Sequence, residues 1–282
     1  MDEEPMAEET MDEKEDGEAR AARLAEDFDD VDSSGAPGDF IAYLRKAEES
    51  ESGRLVREAT YRALGDATGK GADIGCGTGR AVADLAALGR EVVGVDGSRA
   101  MVDAALTRFP HCRVVKGDAV DLPFGDGELA WYRSERTFVH LHDPAKAVAE
   151  AARVLEPGGR IVVADADLDS LVLSSRFPRT TRAVKDAFCA AVPNPHAGTR
   201  TAGDLTAAGF TAVEVTPVVV VMRDHASAFA LMVEPALTAA LARGLVDEDA
   251  AAGWTEDLKA LSHRSAFTAA STFFVTTARR GP

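Results

Sequence analysis

Cysteine is scarce and scattered in this chain. Cys76, Cys112 and Cys189 form no CxxC pair and no zinc-ligand spacing, which argues against a disulfide framework or a thiolate metal site and fits reduced thiols. No metal ligand set is expected. No apolar run approaches the roughly 20 residues needed to span a bilayer. The opening Met1-Asp2-Glu3-Glu4 is the opposite of a secretory n-region, which carries positive charge before an apolar stretch. The chain therefore reads as cytoplasmic, with no membrane partner. Positive charge is also short: 31 Lys and Arg face 47 Asp and Glu, a net charge of -16. That balance argues against a nucleic-acid or anionic-membrane binder, because phosphate contacts need clustered Lys and Arg. The deficit is uneven. Residues 1–30 hold fourteen Asp and Glu against three Lys and Arg, so most of the net charge sits at one end.

What is present is ample apolar content, 46% of 282 residues, enough for a sizeable core. Residues 1–34 are read as an acidic, disordered tail too poor in apolar side chains to offset its ordering entropy. From 35 to 65 the spacing turns helical, with Phe40, Tyr43 and Leu44, then Leu55, Val56, Tyr61 and Leu64 on shared faces. It predicts two lid helices broken near Glu51-Ser52-Gly53. Residues 66–282 then alternate. Strands are expected near Gly71–Ile74, Glu91–Val95, Cys112–Lys116, Glu128–Arg133 and Arg160–Ala166. Helices are expected from Gly79 to Leu88, from the N-cap Ser98 to Arg108, and from Asp143-Pro144 to a stop at Pro157-Gly158-Gly159. Strand–helix alternation with short connections implies a parallel sheet. Runs apolar on both faces, such as Ile161-Val162-Val163-Ala164, suit sandwiched strands. Beyond them a helix near Ala202–Ala208, a strand near Thr211–Val221, helices within 224–265 and a last strand near Phe267–Thr277 complete the pattern. The fold class is α/β: a doubly wound, Rossmann-like, mostly parallel seven-stranded sheet with helical lid insertions, the long one at about 224–265 being read as a substrate lid.

The chemistry begins at Asp73-Ile74-Gly75-Cys76-Gly77-Thr78-Gly79-Arg80. A dinucleotide turn needs GxGxxG; here the glycines fall as GxGxG and Arg80 stands where the third dinucleotide glycine belongs. Asp73 would repel a diphosphate and suits a cofactor with a cationic end. Gly75 and Gly77 let backbone approach closely. Asp96, ending the second strand, can accept from two ribose hydroxyls. Asp118, in Gly117-Asp118-Ala119 after the third strand, can accept from an adenine amino group.

These residues resemble motif I of class I S-adenosylmethionine-dependent methyltransferases. Val95-Asp96-Gly97-Ser98-Arg99-Ala100-Met101 is similar to the family's Asp-x-Ser-x-x-Met stretch. Gly117–Phe124 is similar to its adenine loop, and His140-Leu141-His142-Asp143-Pro144 and Arg153–Arg160 to the segments flanking its next helix. The likeness is to the branch with ubiquinone/menaquinone-type and natural-product enzymes. It implies the cofactor S-adenosyl-L-methionine, released as S-adenosyl-L-homocysteine, and a small-molecule acceptor. It also implies that Met101 packs on adenine and that backbone at Arg133 and Ser134 meets the methionine part. The expected cofactor set is Asp73, Gly75, Cys76, Gly77, Gly79, Asp96, Gly97, Met101, Asp118, Ala119, Arg133 and Ser134. One departure is the first strand, where polar, glycine-rich Gly69-Lys70-Gly71-Ala72 replaces branched apolar residues. His140, past the fourth strand, is the candidate general base, with a structural histidine near the helix cap as the alternative. His196, Arg200 and Tyr43 are candidate substrate contacts. A protein or RNA methyltransferase, or a relative that binds the cofactor but catalyses a cyclisation, stays open, as does the oligomeric state, homodimer included.

Overall fold

The computed structural model describes residues 31–228 and 233–282; the acidic segment 1–30 lies outside them. Two helices come first, α1 (Pro37–Glu49) and α2 (Glu51–Leu64), and the break between them is Ser50, whose side chain accepts the Gly53 N–H as an N-cap. The alternating part runs β1 (Gly71–Ile74), α3 (Arg80–Ala87), β2 (Val92–Asp96), α4 (Arg99–Arg108), β3 (Val114–Lys116), β4 (Leu129–Glu135), α5 (Pro144–Val154) and β5 (Leu155–Leu173). It continues through α6 (Pro178–Cys189), α7 (Ala197–Ala207), β6 (Thr211–Met222), α8 (His225–Ala228), α9 (Glu234–Ala242), α10 (Glu248–His263) and β7 (Ala269–Arg279). The seven strands form one sheet in the order β3-β2-β1-β4-β5-β7-β6. The first five are parallel, and β7 runs antiparallel between β5 and β6.

Both faces are covered. Helices α5 and α7 bury Val148, Ala151 and Leu205 against Ile74, Tyr132 and Val163 on one face. Helices α2, α3 and α4 bury Val56, Leu85 and Ala105 against Trp131 and Val162 on the other. A third cluster, built on Val184, Trp254, Leu258 and Phe267, ties α6 to α9 and α10.

The glycine-rich first strand has a steric cause. Gly71 pairs with Trp131 of β4, and a Cβ on it would lie 2.0 Å from the indole ring. The bulk expected of β1 is supplied from β4, and the indole N–H donates to the Gly69 carbonyl at 3.1 Å.

Helix α7 starts five residues before its expected Ala202, and two further elements differ more. Strand β5 extends past Ala166 to Leu173 and starts already at Leu155, where the preceding helix ends before Pro157. It pairs with β7 over Arg160–Asp167 and again at Val172 and Leu173, with an irregularity between. Helix α6 lies in a stretch with no expected element; its buried contacts are only Val184 and Ala187, too narrow a face to stand out. Among the described residues no helix is long and apolar enough to cross a membrane.

Asp257 of α10 fastens the helical cluster to the body. Its buried carboxylate accepts from Arg176 N (2.8 Å), Arg176 Nε (2.7 Å) and Ser175 Oγ (3.0 Å). Burial raises its carboxyl, but these donors win and hold it below the usual carboxylate range. A carboxylate depressed in the folded state stabilises fully above about pH 4 and loses that contribution as pH falls toward its folded value. Asp257→Ala strands three donors and should lower stability by about 2 kcal/mol, read as a shift in the urea midpoint. The shift should shrink below about pH 4. Equal shifts at pH 3 and pH 7 would remove the ion pair from the explanation.

Candidate active site

The carboxyl ends of β1, β2 and β4 open into a cavity of about 390 Å³, the place where open α/β sheets bind ligands. Its floor is the glycine turn. Gly75 and Gly77 have φ of 70° and 51°, which side chains rarely adopt, and a Cβ on Gly75 would sit 2.1 Å from Thr137 Oγ1. Asp96 Oδ2 accepts the Gly77 N–H at 2.8 Å, and Asp96 Oδ1 accepts the Ser98 N–H at 2.9 Å. The carboxylate thus ties the turn to the start of α4 and keeps further lone pairs for a ligand. Burial pushes its carboxyl up. Asp118 closes a tight turn, its Oδ1 accepting from Val120 N at 3.0 Å.

Of the expected cofactor set, Asp73, Gly75, Cys76, Gly77, Asp96, Gly97, Met101, Asp118, Ala119 and Arg133 line this cavity. Gly79 and Ser134 do not. Gly79 is the left-handed N-cap of α3, and a Cβ there would meet Ala105 at 2.9 Å, so its part is close packing on α4. Ser134 turns its hydroxyl to the Ile74 carbonyl at 3.0 Å. Beyond Arg133, Glu135 at the end of β4 and Arg136 and Thr137 just past it reach the cavity wall.

The Asp73 carboxylate already holds one cation through one of its oxygens. It is 1% exposed and its Oδ1 is ion-paired with Arg133 Nη1, while Arg133 Nη2 is paired with Glu135. Arg133 Nε donates to Thr60 Oγ1 at 2.8 Å, and the guanidinium lies 5.4 Å from the Tyr61 ring centroid, within cation–π range. Burial works against the Arg133 charge, but Asp73 and Glu135 hold its pKa above the ordinary value. Glu135 also takes Arg136 Nη2 at 2.6 Å. Arg136 adopts φ 56°, a strained conformation for a residue with a Cβ and one that gathers at functional sites.

A second, smaller cavity of about 190 Å³ adjoins the first. Apolar groups from α1, β5, β6 and β7, such as Ala47, Ala166, Val220 and Phe273, make much of its wall. Tyr43 lines it, and burial raises the phenol. The two cavities share Leu44, Arg136 and His140. His140 ends the short 3-10 turn Phe138–His140 and stands where the two spaces meet. The other two expected substrate contacts are elsewhere. His196 Nδ1 is 3.0 Å from Asp167 Oδ1, Arg200 is exposed, and neither lines either cavity. From the expected lid at 224–265, Pro235 is the described residue on the wall of the second cavity.

Sequence reasoning missed Asp32. It lies at the end of the segment read as a tail, yet it accepts from Ser98 Oγ (2.6 Å), Arg99 N (2.8 Å) and Ala100 N (3.0 Å), and from Lys116 Nζ (3.3 Å). It caps α4 and lines the larger cavity beside Asp96. Burial would raise its carboxyl, but these donors hold it well below the usual range. Val31 beside it packs with Phe40 and Met101. The signal was an isolated Val-Asp-Ser in acidic sequence, with its partners more than sixty residues away.

Residues 72–163 match the family model described as "Methyltransferase domain". Over 254 residues the chain is 33% identical to a 37.1 kDa protein in a transposon of Streptomyces fradiae, covering 86% of this chain and 72% of that protein. It is 40% identical over 113 residues to a demethylmenaquinone methyltransferase of Beutenbergia cavernae, 40% of this chain and 47% of that protein. The chain belongs to the class I S-adenosylmethionine-dependent methyltransferases. The YcgJ protein of Bacillus subtilis has the same fold, with a TM-score of 0.57 at 16% identity, covering 81% of this chain and 99% of that one. The match to the demethylmenaquinone enzyme spans about half of that enzyme's length. The cofactor of this methyltransferase is S-adenosyl-L-methionine. The residues present fit it: the turn carries no third dinucleotide glycine, and the larger cavity pairs acceptor carboxylates at Asp96 and Asp118 with a mixed-charge end at Asp73 and Arg133.

Proposed function

We propose that this methyltransferase methylates a small, largely apolar acceptor, of the secondary-metabolite kind, held in the second cavity. The observation that carries this reading is the shared wall: His140 borders both the cofactor cavity and an adjoining mostly apolar chamber. The likeness to a demethylmenaquinone methyltransferase supports a small-molecule acceptor. Bound S-adenosyl-L-methionine supplies an electrophilic methyl group on a sulfonium that leaves as a neutral thioether.

The chain's own residues hold and orient. In this reading Asp96 accepts from the ribose hydroxyls, Asp118 from the adenine amino group, and Met101 backs the adenine. Gly75 and Gly77 admit the chain of the ligand against backbone, and Cys76, Gly97 and Ala119 complete the wall. Arg133 retains N–H donors for a carboxylate, and Asp73 has its second oxygen for an ammonium. Tyr43 and Leu44 of α1 enclose the acceptor and exclude water, so alignment carries much of the rate. His140 takes the proton of an acceptor hydroxyl, acting as general base.

The test is transfer of labelled methyl from the cofactor to components of a metabolite extract. A labelled low-molecular-weight product is expected. Tight cofactor binding without any labelled product would sink the reading. With that product in hand, His140→Ala should lower kcat by about 10²–10⁴ while cofactor affinity stays within about twofold. Unchanged kcat would remove His140 from proton transfer.

A further inference from the structure

Asp165 lies on β5 and lines the second cavity. It is 1% exposed. Its Oδ2 accepts from Phe138 N at 3.2 Å and its Oδ1 from Val139 N at 3.3 Å; these are the first two residues of the turn that carries His140. Both bonds are long, and a carboxylate has about four lone-pair sites. Two sites therefore remain for whatever occupies the chamber, whose nearby walls are Val139, Ala166, Leu168 and Phe273. Among the described residues no cation is ion-paired with Asp165. The charged and titratable groups around it are Tyr132 on β4, Glu135 and Arg136 at the end of that strand, His140 on the turn and Tyr43 on α1, and Arg136 is engaged by Glu135.

We propose that Asp165 is the specificity-determining residue of the acceptor cavity, taking a hydrogen bond from an O–H or N–H group of a small, neutral, apolar acceptor and repelling carboxylates and phosphates. The proposal rests on reading that cavity as the acceptor site. Burial without a paired cation is costly for a carboxylate, and a ligand donor offsets part of that cost. Burial also pushes the Asp165 carboxyl up to about 7, against the two amide bonds that lower it. The group therefore only accepts above that pH, and below it gains an O–H donor and becomes a weaker, uncharged acceptor. Ligands with an O–H should gain affinity as pH rises through 7, and ligands that only accept should lose it.

The experiment is calorimetric titration of the full chain, saturated with S-adenosyl-L-homocysteine, with phenol, anisole and benzoate at pH 6 and pH 8. Phenol should bind about tenfold or more tighter than anisole at pH 8, as a hydrogen bond to a charged group implies, and benzoate should bind least. The preference should narrow at pH 6. Asp165→Asn should bring phenol and anisole within about threefold of each other and abolish the pH dependence. Its affinity for S-adenosyl-L-homocysteine should match wild type, which shows that the variant is folded. His140→Asn should keep the pH step. Equal binding of phenol and anisole by wild type, or a step that survives in Asp165→Asn and vanishes in His140→Asn, overturns the proposal and leaves the acceptor cavity standing. Failure of all three probes to bind removes the acceptor cavity itself, and the proposal with it.

Discussion

Arg133→Met should destabilise the fold by about 3–5 kcal/mol, the range for removing one partner of a buried ion pair. Arg133 is 2% exposed and joins the ends of β1 and β4 through Asp73 and Glu135, with Thr60 of α2 as a third acceptor. Met fills much of the volume, so the loss is chiefly electrostatic: two buried carboxylates lose their shared cation. Most of the cost is their desolvation, which neutral partners avoid. The triple variant Arg133→Met, Asp73→Asn, Glu135→Gln should therefore regain most of the stability, since an apolar or neutral replacement of a whole buried charge set is often close to neutral. Urea unfolding of the single and triple variants measures both. A single-variant loss below about 1 kcal/mol would mean that the network behaves as a solvated surface pair. Cofactor binding should separate the two roles of the network. The triple variant, though stable, lacks charges at the methionine end of the cavity and should still bind weakly.

Asp96→Ala should weaken S-adenosyl-L-methionine binding by about 10²–10³. Two hydrogen bonds to a charged acceptor, each worth about 1.5–3 kcal/mol, give a factor of that size or more. The side chain acts twice, on the ligand and on the turn: its loss also frees the Gly77 and Ser98 N–H groups that it fixes. Asp96→Asn keeps one acceptor oxygen and should fall between Ala and wild type. Because burial raises the Asp96 carboxyl, wild-type affinity should begin to fall at a higher pH than for an ordinary carboxylate as the solution is acidified. Equilibrium binding of the labelled cofactor reads both effects. An Ala variant within threefold of wild type would move the ribose contact to another residue.

Much of the sheet was legible because its signals are local. Glycine spacing, Asp at strand ends and alternation of apolar runs mark β1 to β4 within a residue or two, and the Ser98 and Asp143 caps fall where their side chains predict. Beyond Ala166 the pattern failed for a physical reason. Asp167 and Asp169 follow closely, so the continuation reads as a polar loop, and it is the pairing of Asp167, Val172 and Leu173 with β7 that extends the strand. Most of the residues expected to hold the cofactor do line one cavity, the larger one. Asp165 and Asp32 were not legible, because their significance comes from burial and from partners distant in sequence. The reading of Asp73 as suited to a cationic cofactor end did not include its pairing with Arg133, which lies opposite it across β1 and β4 in register; parallel register is set by the sheet and cannot be read from either strand alone.

Under the proposed function, the wall shared by the two cavities has a kinetic consequence. Leu44 rides on α1, whereas Arg136 and His140 belong to the exit of β4, so the opening between donor and acceptor is framed by one helix and one fixed edge. Glu48, one turn along the same helix, is bonded to Thr78 at 3.0 Å and to Arg108 at 2.7 Å. With the acceptor in the second cavity, as proposed, the seating of α1 on the glycine turn would set the distance that the methyl group must cross. Such a frame acts as an aperture: a small shift of α1 changes the reactive alignment while leaving each ligand's own chamber largely intact.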